Sequence, residues 1–341
     1  MIVYIYILLN FILILFLNNS FKKKNFLISE TGDFHQKFAS KQKIPLTGGI
    51  FFFISSLYFF NFELISFYIF AISIFSLGIF SDLKYLKSAK LRLFLQGFLV
   101  FFFIFILDIK INNTRIYILD HFLQNSFLNY LFVSFCVLIL INGSNFFDGL
   151  NTLNIGYFIL ITLCIFYLNI NNEIILYDFP LEYVFYSLLI MLLLNFFNQI
   201  YLGDSGSYLL GLFFSIFLIF IYKWNPNISP FFIILLLWYP SFENLFSILR
   251  KNILKKSPMR PDSNHLHQLI FYFIKKKMSR GNILHANIIS ACLINSYNLL
   301  IFLLSLKFIS NSQVQIILII FNVIVYFFIY LKLFILRYKK I

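Results

Sequence analysis

The fold is decided by apolar stretches such as residues 126–151, which read SFLNYLFVSFCVLILINGSNFFDGLN. The first part, 126–142, is apolar over almost the length of a membrane-spanning helix, which needs about 20 residues. The second part, Asn142–Gly149, is small and polar, and it contains one carboxylate, Asp148. Carboxylates are scarce in this chain, so one that lies near the end of an apolar run is informative about function.

The same pattern recurs along the chain. Apolar runs lie at 2–18, 48–61, 63–80, 91–107, 126–142, 153–169, 181–197, 207–222, 229–249, 286–307 and 313–335. We therefore predict an all-α polytopic integral membrane protein with about eleven transmembrane helices. No linker or internal repeat divides the runs, so residues 1–341 are expected to form a single membrane domain.

Composition supports a membrane protein and excludes other classes. Apolar residues make up 61% of the chain and charged residues only 12%, whereas soluble domains carry about 25% charged residues. The net charge of +14 would suit nucleic acid only if a hydrophilic basic domain carried it. The chain has no such domain, so we expect the lipid bilayer, and no nucleic acid, as a partner.

The basic residues predict the orientation. If the chain starts outside, 23 of the 27 Lys and Arg residues fall in cytoplasmic segments, as the positive-inside rule requires. The expected location is the cell inner (cytoplasmic) membrane, with multiple passes. In the outer segment 109–118, alternating isoleucines around Asn112–Thr114 suggest a short β-hairpin, with an irregular loop as the alternative.

Four polar clusters lie at the predicted cytoplasmic ends of the apolar runs or in a cytoplasmic loop. They contain Asp82, Asp148, Asp204 and the segment 261–267 with His265 and His267. Each alone has a plain interpretation, because Asp, Asn and Ser cap helices and Gly permits turns. Together they fit Mg²⁺, which takes one or two carboxylates plus substrate phosphates, and a phosphate at the helix start 205–207. The pattern predicts phosphoryl transfer at the membrane surface.

Other interpretations remain open at this point. His265 and His267 form a His-x-His pair, but zinc is weakly supported without a third strong ligand nearby. A polytopic transporter would place its ionisable residues near the middle of the bilayer, where this chain is apolar apart from Glu243. A structural membrane scaffold would need no converging carboxylates.

The motifs resemble those of the polyprenyl-phosphate N-acetylhexosamine-1-phosphate transferases, glycosyltransferase family 4. Asn142–Gly149 looks like the family motif Asn-x-x-Asn-x-x-Asp-Gly, and Gly203–Ser207 looks like Gly-Asp-x-Gly-Ser. Residues 257–267 are similar to the Ser-Pro…Pro-Asp-x-x-His-x-His segment of the O-antigen branch. Residues 35–49 are similar to its His…Pro-x-x-Gly-Gly signature.

The resemblance implies an activity. A UDP-N-acetylhexosamine would donate its sugar-1-phosphate to undecaprenyl phosphate and release UMP, with Mg²⁺ (or Mn²⁺) as cofactor, to initiate cell-surface polysaccharide such as O-antigen. A homodimer is compatible with this family. The implied site is catalytic Asp82, Asn145 and Asp148; substrate-binding His265, His267, Lys90, Arg92 and Asn151; and metal-binding Asp204 and Asp148.

Three positions depart from the family pattern. The usual Asp-Asp pair reads Ser81-Asp82-Leu83, and either Ser81 or Asp82 can be aligned with the first Asp. The usual Asp-Gly-x-Asp ends in Asn151, and the His-x-His-His tail ends in Gln268. An altered specificity is one explanation and a catalytically altered relative is another. The intact set of Asp82, Asp148 and Asp204 favours activity.

Overall fold

A computed structural model describes residues 2–29, 43–59, 65–177, 179–257, 262–278 and 283–338. Over these residues the chain forms fourteen α-helices and no β-strand. The helices are α1 (Ile2–Lys24), α2 (Gly48–Ser56), α3 (Ile65–Asp82), α4 (Ala89–Ile106), α5 (Tyr117–Leu123), α6 (Ser126–Phe147), α7 (Leu153–Ile170), α8 (Leu181–Phe196), α9 (Gly203–Trp224), α10 (Pro230–Leu236), α11 (Trp238–Ile253), α12 (Leu266–Lys277), α13 (Ile283–Leu306) and α14 (Ser312–Tyr338).

The prediction of an all-helical, multi-pass membrane protein is confirmed. Within the described residues, eight helices are long and apolar enough to cross a membrane, namely α1, α3, α4, α6, α7, α9, α13 and α14. A ninth span results if α10 and α11, which meet at a bend of 73°, are counted together. The count of about eleven is not confirmed, because α2 has nine residues and α8 has 16, which is short for a bilayer.

The hairpin predicted for 109–118 is absent. Residues 109–116 have no regular structure, and Tyr117 begins helix α5. The Asn129 side chain accepts from the Ile111 N–H at 3.0 Å and donates to the Ile111 carbonyl at 2.9 Å. A buried amide therefore satisfies the backbone groups that a partner strand would otherwise satisfy, and the irregular loop is the correct alternative.

Helix α9 is the central helix, and it is buried along most of its length. Two glycines let its neighbours reach its backbone. A Cβ at Gly78 in α3 would lie 2.3 Å from the Cα of Ser205, and a Cβ at Gly49 in α2 would lie 2.4 Å from the amide nitrogen of Gly206. No side chain larger than hydrogen fits at either crossing, so the C-terminus of α3 lies directly on the N-terminus of α9.

Helix α6 is held in the same way against α11. A Cβ at Gly143 would lie 2.4 Å from the carbonyl oxygen of Pro240, which is near the bend between α10 and α11. Helix α6 also packs along α9. The polar C-terminal turn of α6 therefore emerges between α9 and α11, at the same end of the bundle as the contact between α3 and α9.

Candidate active site

Asp82 caps helix α9 from a different helix. Its Oδ1 accepts from the N–H of Asp204 at 2.8 Å and its Oδ2 from the N–H of Ser205 at 3.1 Å. The first N–H groups of a helix have no partner inside it, and the helix dipole favours a negative charge there. Gly203 permits this approach because its φ is +75° and a Cβ on it would lie 2.8 Å from Asp82 Oδ2.

Asp204 is paired with Arg92. Arg92 Nη1 lies 2.8 Å from Asp204 Oδ2, and each side chain is about a quarter exposed (26% and 27%). The Ser81 hydroxyl donates to the same carboxylate oxygen and accepts from Arg92. Ser88 caps the start of α4 by accepting from the Leu91 N–H at 3.3 Å, which fixes the turn that carries Arg92.

This geometry bears on the two possible registers of the acidic motif. The two consecutive side chains that meet the N-terminus of α9 are Ser81 and Asp82. Leu83 follows the last residue of α3. The structure therefore favours the register in which Ser81 stands at the first position of the family's Asp-Asp pair.

Asn145 and Asp148 come from the end of α6. Asn145 Oδ1 accepts from the Ser207 hydroxyl at 3.1 Å, which joins the motif to α9. Asp148 is the C-cap residue of α6, and no hydrogen-bond donor in the described part of the chain contacts its carboxylate. Burial, followed by the negative charges of Asp204 and Asp82, raises the pKa of Asp148 well above its usual range.

Asn151 lies inside the protein, in the loop between α6 and α7. It is buried, and its Nδ2 donates to the Asn195 carbonyl and to Asn198 Oδ1, both at 3.0 Å. Its N–H donates to Asn287 Oδ1 at 2.7 Å. These bonds anchor the loop between α6 and α7, and substrate binding by Asn151 stays a prediction.

The two histidines lie against the end of α6. His265 Nδ1 is 2.9 Å from Glu243 Oε1, and its ring is 5.7 Å from that of Phe146. His267 is fully buried, and neither ring nitrogen has a hydrogen-bond partner among the described residues. A Cβ at Gly149 would lie 2.8 Å from His267 Nε2, and burial lowers the pKa of His267 to about 3. His267 is therefore neutral at physiological pH.

The structure thus brings most of the predicted site residues to one end of the bundle. Lys90 is exposed at the start of α4, two residues before Arg92. His35 and 258–261, which carried part of the family resemblance, lie outside the described residues.

Sequence reasoning missed several residues that build the site. Ser81 was treated as a lost carboxylate, yet it binds both Arg92 and Asp204. Glu243 stands out in the sequence only as an ionisable residue in an apolar run, yet it contacts His265. The sequence spacing gave a signal for Glu243. It lies seven residues before Arg250 on α11, and residues seven apart lie on the same face of a helix.

The described side chains define a class of protein: a multi-pass helical membrane protein with a polar, carboxylate-rich site at one end of its helices. A helix N-terminus and an arginine suit phosphate groups, and a histidine ring can hydrogen-bond to them. Three interacting carboxylates suit a divalent cation. Such a combination can bind a phosphate-bearing substrate together with its metal ion.

Part of the chain is similar to a known protein family. Residues 64–222 match the family model "Glycosyl transferase family 4", and this region contains Asp82, Asn145, Asp148 and Asp204. This match supports the family predicted from the motifs.

Two curated relatives agree with this family. The chain is 32% identical to an undecaprenyl-phosphate alpha-N-acetylglucosaminyl 1-phosphate transferase of Thermotoga maritima over 71 residues, which is 21% of this chain and 23% of the relative. It is 30% identical to a probable undecaprenyl-phosphate N-acetylglucosaminyl 1-phosphate transferase of Bacillus subtilis over 203 residues, which is 58% of this chain and 55% of the relative. The matches span about a quarter and about half of the length of these relatives.

Proposed function

We propose that the chain transfers an N-acetylhexosamine-1-phosphate from a UDP-sugar to undecaprenyl phosphate and releases UMP. The observation that carries the proposal is the meeting of Asp82, Asp204 and Arg92 at the N-terminus of α9, inside the region that matches the family. Both relatives are named for a transfer of this kind to undecaprenyl phosphate. The product would initiate a cell-surface polysaccharide such as O-antigen.

The site faces the cytoplasm in this proposal. Its support is the basic-residue distribution, since the segments next to the site contain Lys84, Lys87, Lys90, Lys251 and Lys255 and cytoplasmic segments are enriched in Lys and Arg. An orientation with about eleven apolar segments crossing the membrane keeps all the motif segments on that side. It requires α2 and α8 to count as spans although they are short.

The reaction depends more on the placement of the two substrate phosphates than on proton transfer. An oxygen of the lipid phosphate attacks the phosphorus that bears the sugar, so one P–O bond forms. The anhydride P–O bond to UMP breaks, and its electron pair leaves with UMP. A phosphate monoester is largely ionised near neutral pH, with a second pKa of about 6, so the attacking oxygen carries no proton that a base must remove.

The carboxylates fit a divalent cation. Asp148 has no donor among the described residues, and burial, followed by the charges of Asp204 and Asp82, raises the pKa of its carboxyl group. This uncompensated negative charge is what a cation relieves. Asp204 and Asp148 would hold Mg²⁺, or Mn²⁺, and the ion would supply neutralisation of phosphate charge. Among the described residues, no three or more His, Cys, Asp or Glu side chains are arranged so that they could hold a metal ion by themselves. This suits Mg²⁺, which usually takes one or two carboxylates together with substrate phosphates.

The remaining side chains have roles that follow from their positions. Arg92 and Lys90, at the start of α4, would bind phosphate oxygens. His265 and His267 would contact the phosphates or sugar of the donor, and His267 in its neutral form can donate one hydrogen bond and accept another. Asp82 holds the amides that set the position of Asp204, and Asn145 joins the α6 turn to α9.

The direct test uses the purified protein in lipid nanodiscs. Undecaprenyl phosphate, Mg²⁺ and a panel of UDP-sugars that includes UDP-GlcNAc are added, and the lipid fraction is analysed by mass spectrometry while UMP is quantified. We expect one lipid-linked N-acetylhexosamine diphosphate and an equal amount of UMP. A folded preparation that forms neither with any donor contradicts the proposal. UDP-sugar uptake into sealed vesicles without UMP release would favour the transporter alternative.

A further inference from the structure

Glu243 is a buried carboxylate that the proposed reaction does not use directly. It lies in α11 and is 1% exposed. An ionisable group buried at membrane depth is expensive, and it is usually functional with a specific partner. Its oxygens are occupied by donors from two other helical segments. Oε1 accepts from His265 Nδ1 at 2.9 Å and from the Leu266 N–H at 3.3 Å, and Oε2 accepts from the Tyr326 hydroxyl at 2.9 Å.

These contacts determine how His265 is presented. Because Nδ1 is bound to Glu243, the other ring nitrogen, Nε2, points away toward Asp262, 3.5 Å distant. The bond to the Leu266 N–H satisfies one of the free donors at the start of α12, so the same carboxylate holds the ring and the backbone beside it. The His265 ring then lies 5.6 Å from that of His267, with 21° between the planes.

The C-terminal helix supports this arrangement. Tyr326 of α14 is buried, and its hydroxyl holds the second oxygen of Glu243. One further turn along, Tyr330 accepts from Arg250 Nη1 at 3.2 Å, and that same nitrogen donates to the Asn264 carbonyl at 3.0 Å. Near the end of α14, Arg337 Nη2 donates to the Ser263 hydroxyl at 2.8 Å. Helix α14 therefore clamps the segment that carries the histidines.

We propose that Glu243, held by Tyr326, is a positioning residue that fixes the His265 imidazole for contact with the phosphates of the nucleotide-sugar donor. The inference rests on the proposed function. A hydrogen bond at one ring nitrogen sets the orientation and the tautomer of a histidine, and loss of such an outer partner typically costs about 10–100-fold in function where it has been measured at metal-bound histidines.

A double-mutant cycle in nanodiscs tests the coupling. The kcat/KM for the donor is measured for wild type, Glu243→Ala, His265→Ala and the double variant. We expect each single substitution to lower kcat/KM by about tenfold or more. The double variant is expected to fall within about twofold of His265→Ala, because residues that act as one unit are not additive.

Matched variants separate positioning from stability. Glu243→Gln keeps one acceptor oxygen and is expected to recover part of the loss. Tyr326→Phe removes only the hydroxyl and is expected to cause a smaller loss. Asn244→Ala is the control, because Asn244 is the next residue on α11, is also buried, and donates to the Ile139 carbonyl of α6. It should keep the wild-type KM and kcat even if its thermal stability falls.

The outcomes are distinguishable. If the losses from Glu243→Ala and His265→Ala multiply in the double variant, the positioning role is overturned. If Glu243→Ala does not fold, as judged by gel filtration, the cycle is run with Glu243→Gln, and multiplying losses again overturn it. Wild-type protein that is folded but inactive with every donor contradicts the proposed function itself, and the inference falls with it.

Discussion

Asp82 and Asp204 occupy the same helix terminus but have different environments. Asp82 has both oxygens bonded to backbone amides, whereas Asp204 shares one oxygen with Arg92 and Ser81. Asp148 has no donor within the described segments. At the scale of single residues, Asp82 builds the site, and Asp204 and Asp148 have oxygens available for a cation.

Asp204→Asn should therefore remove activity while membrane insertion stays intact. A neutral amide is a poor ligand for Mg²⁺, and loss of one strong electrostatic contact costs about 10²–10³ in rate. The measurement is UMP release by equal amounts of purified protein. Asp108→Asn is the control, since Asp108 is an exposed carboxylate paired with Lys110, and it should leave the rate unchanged. A near-normal rate for Asp204→Asn would refute its assignment to the metal.

Asp82→Asn is expected to impair transfer severely. Asparagine replaces one of the two acceptor oxygens with an NH₂ group, which would face a backbone N–H donor of Asp204 or Ser205, so the hydrogen bond to that amide is lost. Loss of a helix cap costs about 0.5–2 kcal/mol, which is small beside a total stability of about 5–15 kcal/mol. The variant should thus fold, and its rate reports on site geometry. Leu83→Asp should be tolerated. Equal rates for Asp82→Asn and wild type would remove Asp82 from the site.

At the scale of elements, the crossing of α3 and α9 holds the two acidic motifs together. Gly78→Ala should separate these helices, because the new Cβ would lie 2.3 Å from the Cα of Ser205. Overpacking costs about 1–3 kcal/mol, and a displacement of about 1 Å at a reacting site can cost about 100-fold in rate. We expect a lower melting temperature and a fall in activity of at least about tenfold.

Gly97→Ala is the matched substitution. Gly97 lies in α4, and the nearest atom to its Cβ would be Leu138 Cδ1 at 3.6 Å, which is ordinary contact. Alanine is favoured over glycine in a helix by about 1 kcal/mol, so stability should be equal or higher and activity unchanged. If Gly78→Ala behaves like Gly97→Ala in both thermal unfolding and UMP release, the crossing does not control the site.

At the scale of the whole molecule, the prediction concerns sidedness. Ser88→Cys and Lys255→Cys, at exposed positions near the site, should resist a membrane-impermeant thiol reagent applied from outside, in a background in which the native cysteines are replaced. Lys110→Cys, at the opposite end, should react. The reason is the concentration of Lys and Arg in the segments next to the site. Reaction at Ser88→Cys from outside would reverse the proposed orientation.

Much of this architecture can be predicted from local patterns in the sequence. The length of an apolar run predicts where a membrane helix lies, because a helix that crosses the bilayer core needs about 20 consecutive apolar residues whatever it packs against. The short polar motifs around Asp148 and Asp204 predict the family for a similar reason, since their function depends on residue type at fixed spacing. The hairpin at 109–118 failed as a prediction because the competing partner, the Asn129 side chain, is distant in sequence.

Only the tertiary structure decided which polar groups meet. Asp82 reaches the amides of Asp204 and Ser205, more than 120 positions away, because Gly78 lets two backbones touch. Asn151 is bonded to the Asn195 carbonyl of α8, and Glu243 reaches His265 from another helix. Hydropathy and spacing are properties of neighbouring residues, whereas hydrogen bonds between helices depend on interhelical distances of a few ångströms that close packing sets.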